Sequence, residues 1–311
     1  MADDPFIKDF NPEVGIATEL APGLRRIVAP NASPMTFRGT NTYLLGEVEI
    51  AVIDPGPNDP QHLENILRAV GPARRISHVF VTHSHVDHSP LARALADAAG
   101  APILALGDSW TGRSERMKTL AQTVELGGGE GVDESFRPDQ TLADGECVQG
   151  REWQLTAVAT PGHFSNHLCF AREDEGDVFS GDHVMSWATT LVSPPDGDLT
   201  AFMQSLDKML TRPDDQRYYP GHGAPLEDPH PMVHHQIAHR KGRESQILEA
   251  LSEQSATPLD LARRIYTEIP AALIPAATRN VFSHLIDLTE RNQVQTDRAL
   301  SPDAQFSLLA T

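Results

Sequence analysis

At 311 residues with 40% hydrophobic side chains, the chain can bury one large core and a smaller module, and its formal net charge of −18 sets it against the phosphate backbones that basic proteins bind. Two cysteines, Cys147 and Cys169, are too few for a disulfide scaffold and fit a reducing compartment. The start, Met1-Ala2-Asp3-Asp4-Pro5, is acidic, and no stretch approaches the ~20 apolar residues of a membrane helix, so the expectation is a cytoplasmic protein with no membrane partner.

In chain order, Ile50-Ala51-Val52-Ile53 is an apolar, β-branched run expected as a strand ending at Asp54. Residues 76–82 form a second such run, and residues 90–96 read as a helix. Between them lies His83-Ser84-His85-Val86-Asp87-His88, four metal-type side chains on one strand-to-helix turn. Residues two apart in extended backbone face the same way, so His83 and His85 can grip one ion. Where the chain turns, Asp87 and His88 swing toward a second. Imidazole and carboxylate donors suit zinc and its first-row neighbours.

Residues 107–150 include Leu126-Gly127-Gly128-Gly129-Glu130-Gly131, either a plain surface loop or a mobile flap. Three further strand-like runs follow: residues 155–159 lead to His163, 177–180 to Asp182, and 218–219 to His222. Open α/β sheets place their ligands at such strand ends. Gly162, Gly181, Gly221 and Gly223 flank these positions and let backbone approach a crowded site. His167 and His183 are read as structural.

After His222 the texture changes. Pro225, Pro229 and Pro231 punctuate a linker, and residues 233–252 read as one helix burying Ile237, Ile247, Leu248 and Leu251. Thr257 caps a second helix with Pro258 at its first position, and residues 276–290 form a third, carrying Val281, Leu285 and Leu288. Residues 293–295 are a short strand candidate. The expected domains are therefore 1–231, catalytic, and 232–311, helical and winged-helix-like. Residues 233–311 carry eight basic and nine acidic side chains, so nearly all the net negative charge lies in the first domain. Arg240, Lys241 and Arg243 are candidates for touching an anionic substrate; the alternative is a solvated helix face with Arg240 and Glu244 as an i,i+4 pair. His235 and His239 can share a helix face, but without a carboxylate or cysteine beside them a third metal site is not expected.

The ordered set of Asp54, His-x-His-x-Asp-His at 83–88, His163, Asp182 and His222 resembles the metallo-β-lactamase superfamily over roughly three-quarters of the chain. The resemblance implies a four-layer αββα sandwich of α/β (α+β) class. It also implies two Zn²⁺ ions, with Mn²⁺ or Fe²⁺ as substitutes: one on His83, His85 and His163, the other on Asp87, His88 and His222, with Asp182 between them. Asp54 would steady the site without binding metal. Two cations sharing a water lower its pKa from ~15.7 toward ~7, so hydrolysis is the expected reaction, with Asp87 orienting the resulting metal-bridging hydroxide. Residues 39–43 match the early loop and strand of the family, making Asn41 a candidate substrate contact, and Trp187 follows Asp182 closely enough to line the pocket. Asp182 stands where the antibiotic-degrading zinc enzymes carry a cysteine, which argues against true β-lactamase activity. His85 stands where diiron electron-transfer relatives have glutamate. The segment 239–244 resembles the tail of the β-lactamase-like protein 2 branch, whose animal mitochondrial member cuts single-stranded RNA. The expected substrate is a small ester, thioester or lactone. Single-stranded RNA is an alternative, and a mononuclear iron persulfide dioxygenase is an alternative of another class.

Overall fold

A computed structural model describes residues 5–124 and 131–309. The first sheet holds seven strands in chain order: β1 (Thr18–Ala21), β2 (Leu24–Val28), β3 (Asn41–Leu45), β4 (Glu49–Ile53), β5 (Arg75–Phe80), β6 (Ile103–Ala105) and β7 (Gln140–Thr141). It is antiparallel as far as β4 and parallel from β4 onward. Helices α1 (Pro60–Val70) and α2 (Ala92–Ala99) cover its outer face, while α3 (Glu115–Thr123) lies further along the chain. The second sheet comprises β8 (Cys147–Gln149), β9 (Gln154–Ala159), β10 (Leu168–Arg172), β11 (Asp177–Gly181), β12 (Arg217–Pro220) and β13 (Leu226–Glu227), with α4 (Leu199–Leu210) on its outer side.

Strand alternation divides the core into layers. On β4, Ile50 and Val52 pack with Ile66 of α1 and Leu95 of α2, while Ala51 and Ile53 face Phe170 and Phe179 of the other sheet. On β10, Phe170 faces inward and Cys169 packs with Phe202 of α4. Strands covered on both sides need apolar residues at every position, which is why these runs lack a polar alternation. The result is a helix–sheet–sheet–helix sandwich, and β4, β5, β9, β11 and β12 all end at one rim.

The remaining elements are α5 (His230–Glu253), α6 (Pro258–Ile265), α7 (Ile274–Glu290) and a two-stranded ribbon of β14 (Val294–Thr296) and β15 (Phe306–Leu308). Thr257 and Asp260 form a reciprocal capping box at the start of α6. The prolines at 229 and 231 do not make a linker: Pro229 precedes α5 and Pro231 sits in its first turn, where a missing N–H is tolerated. Nor do Ile237 and Ile247 share one face. Met232, Val233 and Ile237 pack into the α4 layer, whereas Ile247 and Leu251 join Leu261, Val281 and Phe306 in a second core. Ten residues turn a helix by about 1000°, so the two stripes look in different directions. The 231/232 boundary thus falls at the start of a helix that both cores share. Met117 and Leu120 of α3 also join the second core. The glycine-rich run at residues 126–130 lies outside the described residues.

Candidate metal centre

At the end of β4 the backbone turns sharply at Asp54, whose φ of 51° is left-handed. Its carboxylate accepts hydrogen bonds from Thr82 N and Thr82 Oγ1, both at 2.7 Å, and meets His88 Nδ1 at 2.9 Å. The strand-to-helix turn after β5 is thereby held against the first sheet. His83 Nε2 and His163 Nε2 lie 2.9 and 3.1 Å from His85 Nδ1. His88 Nε2 lies 3.4 Å from His222 Nε2 and 3.4 Å from Asp87 Oδ2. Asp182 spans the two groups, with Oδ1 at 3.5 Å from His88 Nε2 and Oδ2 at 3.3 Å from His222 Nε2 and 3.8 Å from His163 Nε2.

All seven donors are buried, none more than 9% exposed. They form three overlapping triads: His83, His85 and His163; His83, His88 and Asp182; and Asp87, His88 and His222. Two donors on one tetrahedral ion at ~2.1 Å are about 3.4 Å apart, so these separations fit shared cations. Asp182 Oδ1 is buried without a hydrogen-bond partner among the described residues, an expensive arrangement that a cation relieves. A Cβ on Gly221 would come within 2.3 Å of that same oxygen, so only glycine leaves the room.

The far sides of the rings are held as well. His163 Nδ1 bonds the Leu191 carbonyl at 2.7 Å, His222 Nδ1 the Gly39 carbonyl at 3.1 Å, and His83 Nδ1 lies 3.0 Å from Thr82 Oγ1. These contacts select the tautomer that aims Nε2 at the centre. Burial alone would lower His222, yet Asp182 and Asp87 lift it to about 10. His88 is likewise raised against its burial, by Asp87, Asp182 and Asp54. Burial opposes ionisation of Asp182 and Asp87, but the neighbouring histidines hold both below the ordinary carboxylate range. A metal ion would replace protons here, since imidazole must be neutral to coordinate.

Other residues singled out in the sequence lie elsewhere. Asn41 is buried, and its Nδ2 donates to the carbonyls of Pro220 and Gly223 at 2.9 Å, bracing the turn that carries His222. Arg240 is 2% exposed and bonds Asn280 Oδ1 and the Thr190 carbonyl, so it is neither a substrate contact nor a solvated partner of Glu244, which pairs with Arg291. Arg243 lies 3.8 Å over the Tyr266 ring and Lys241 is exposed, so the three cations form no common patch. Trp187 stacks on Phe37, with centroids 4.9 Å apart and planes 6° apart. His167 Nε2 accepts from the Asp182 amide at 3.2 Å, and His183 packs on Phe202.

Three contributors escaped the sequence reading. Thr40 Oγ1 donates to Asp87 Oδ2 at 3.1 Å, and Thr82 links Asp54 to His83. Thr190 Oγ1 reaches the carbonyls of Asp182 and His183 at 2.8 and 3.1 Å. The two threonines flanking known motifs could have been suspected; nothing in the sequence marks Thr190. Beyond the loop that Thr190 belongs to lies a cleft of about 290 Å³, lined by Met35, Met185, Trp187, Leu191, Tyr266 and Leu273 among others.

This rim of converging histidines and aspartates on a double-sheet sandwich defines a metallo-β-lactamase-fold protein. The family model described as the metallo-beta-lactamase superfamily matches residues 35–222, and that of the beta-lactamase associated winged helix domain matches residues 257–302. The chain belongs to the metallo-beta-lactamase superfamily and ends in that winged-helix domain. It is 32% identical over 298 residues to a beta-lactamase-like protein 2 homolog of Drosophila melanogaster, covering 93% of this chain and 94% of the relative. It is 31% identical over 278 residues to an atrochrysone carboxyl ACP thioesterase of Aspergillus fumigatus, covering 84% and 78%. Among solved structures, a beta-lactamase domain protein from Burkholderia ambifaria superposes with a TM-score of 0.80 at 21% identity, over 97% of this chain and 96% of that one. No helix among the described residues is long and apolar enough to cross a membrane.

Proposed function

We propose that this protein is a dinuclear metal-dependent hydrolase that cleaves a small ester, thioester or lactone. The observation that carries the reading is the set of three overlapping donor triads, buried at one rim and shared through His83 and His88. Two Zn²⁺ ions would be held there by His83, His85, His163, Asp182, Asp87, His88 and His222. Bound, they supply Lewis acidity and an acidified water at neutral pH. The protein's own part is arrangement and proton handling. Asp87 stays ionised, and its Oδ2, fixed by Thr40, is placed to accept a hydrogen bond from the attacking water and so orient it. Asp54 and the Leu191 and Gly39 carbonyls hold the rings so that no reorganisation is needed as charge develops.

The apolar cleft favours an uncharged acyl compound over single-stranded RNA, and the burial of Arg240 removes one of the cations that RNA would need. The thioesterase named among the relatives supports the same choice. The test is a panel of acyl thioesters, a lactone, labelled single-stranded RNA and glutathione persulfide, offered to zinc-loaded protein beside an Asp87→Ala control. Thioester or lactone hydrolysis that vanishes in the control is expected. RNA cleavage that vanishes in the control, or oxygen uptake on the persulfide by iron-loaded protein, would replace this reading.

A further inference from the structure

We propose that the cleft between the two modules is the seat of the substrate's acyl chain, an inference that rests on the hydrolase reading above. Its walls come from both halves of the chain: Met35, Met185, Trp187 and Leu191 on one side, Tyr266 and Leu273 on the other. None of its lining residues is charged, in a protein of net charge −18. Its polar lining is already engaged at the winged-helix side, where Asn280 donates to Tyr266 Oη at 2.8 Å and accepts from Arg240. A neutral apolar group is therefore the occupant that costs least to bury there.

Position ties the cleft to the chemistry. Leu191 lines it, and the carbonyl of the same residue takes the His163 Nδ1 hydrogen bond at 2.7 Å. The cleft wall and the metal centre are thus two sides of one loop. Trp187 is pinned in that wall by the stack on Phe37, which in turn stacks on Phe10 at 6.2 Å. Met35 and Met185 are unbranched and adaptable, suited to chains that differ in length. A larger cavity of about 330 Å³ offers no alternative for an apolar chain, because its lining includes the charged Arg151, Glu152, Arg172 and Glu175. On this assignment the C-terminal domain is a specificity wall, which explains how a neutral winged helix serves a small-molecule enzyme.

The experiment uses full-length zinc-loaded protein and straight-chain acyl thioesters from two to ten carbons. Each added methylene is expected to lower KM about fourfold until the cleft is full, while kcat changes little. Ala276 of α7 also lines the cleft, and Ala276→Phe should raise KM at least tenfold more for the longest chains than for the shortest. In parallel, decanoate is titrated against tryptophan fluorescence, with saturable quenching expected and its loss in Trp187→Phe. Hydrolysis with a KM indifferent to chain length and to Ala276→Phe would overturn the cleft assignment and leave the hydrolase standing. Saturable, Trp187-dependent decanoate binding without hydrolysis of any thioester would sink the thioesterase reading and keep the apolar site. Absence of both chain-length dependence and quenching removes the inference outright.

Discussion

Replacing Arg240 by methionine separates two roles that a buried cation between domains can have. The guanidinium sits on α5, bonded to Asn280 of α7 and to the Thr190 carbonyl, with its charge 5.4 Å over the Phe202 ring and no carboxylate paired to it among the described residues. Burial pulls its pKa down to about 10, so it remains charged at neutral pH. Thr190 grips the Asp182 and His183 carbonyls through its hydroxyl, and the next residue orients His163. Arg240 therefore holds the two-residue segment that aims two metal donors. Removing it leaves two buried acceptors unpaired, at ~1–3 kcal/mol each. Against that, dehydrating the guanidinium no longer costs several kcal/mol, and methionine fills most of the space. The two nearly offset, so urea unfolding of the metal-free variant should change by no more than about 2 kcal/mol. Metal binding has no such offset, and loss of an outer partner typically weakens it 10–100-fold. Chelator competition for Zn²⁺ should show that drop, and the visible absorption of Co²⁺-loaded protein should shift. A variant with normal zinc affinity and a normal cobalt spectrum, but folding stability down by more than ~4 kcal/mol, would mean that Arg240 only cements the two modules.

Gly221→Ala places a methyl 2.3 Å from Asp182 Oδ1 and 2.6 Å from His88 Cε1, so it should remain folded by circular dichroism yet bind less than one zinc per chain by elemental analysis. Asp54→Ala strands the Thr82 amide and hydroxyl and frees the His88 ring; expected are a stability loss of roughly 2–5 kcal/mol and weaker zinc binding, and retention of both would mean that the turn is held by other contacts. Burial pushes the His62 imidazole down to about 4. A histidine lowered on folding stabilises fully above its unfolded value near 6.5 and loses that contribution as pH falls toward 4, so metal-free protein should lose roughly 2 kcal/mol from this group between pH 7 and 5. His62→Gln should flatten that limb, and an equally steep loss in the variant would assign it to other groups. Adding Zn²⁺ at a hundred times its Kd should raise stability by about 2.7 kcal/mol, and a melting temperature indifferent to zinc would count against the metal centre.

The cluster of candidate metal donors was legible because coordination chemistry is local in the chain: four of them fall within six residues, and each of the others closely follows a β run. The main strands were legible for a similar reason, since burial on both faces demands uninterrupted apolar residues. Short elements such as β6, β7 and β15 were not, because two or three residues carry no period; pairing to distant neighbours makes them strands. Arg240 and Asn41 were misplaced for a different reason. Charge and amide groups predict exposure or ligand contact only while the surroundings are unknown, and here a helix running between two cores buries one and a turn from the far sheet claims the other. The candidate donor set was thus written in residue types and spacing. Which loop each donor leans on, and which wall the winged helix supplies, depended on contacts between segments distant in the chain, 28 residues apart for His163 and Leu191 and 183 for His222 and Gly39, which no local pattern encodes.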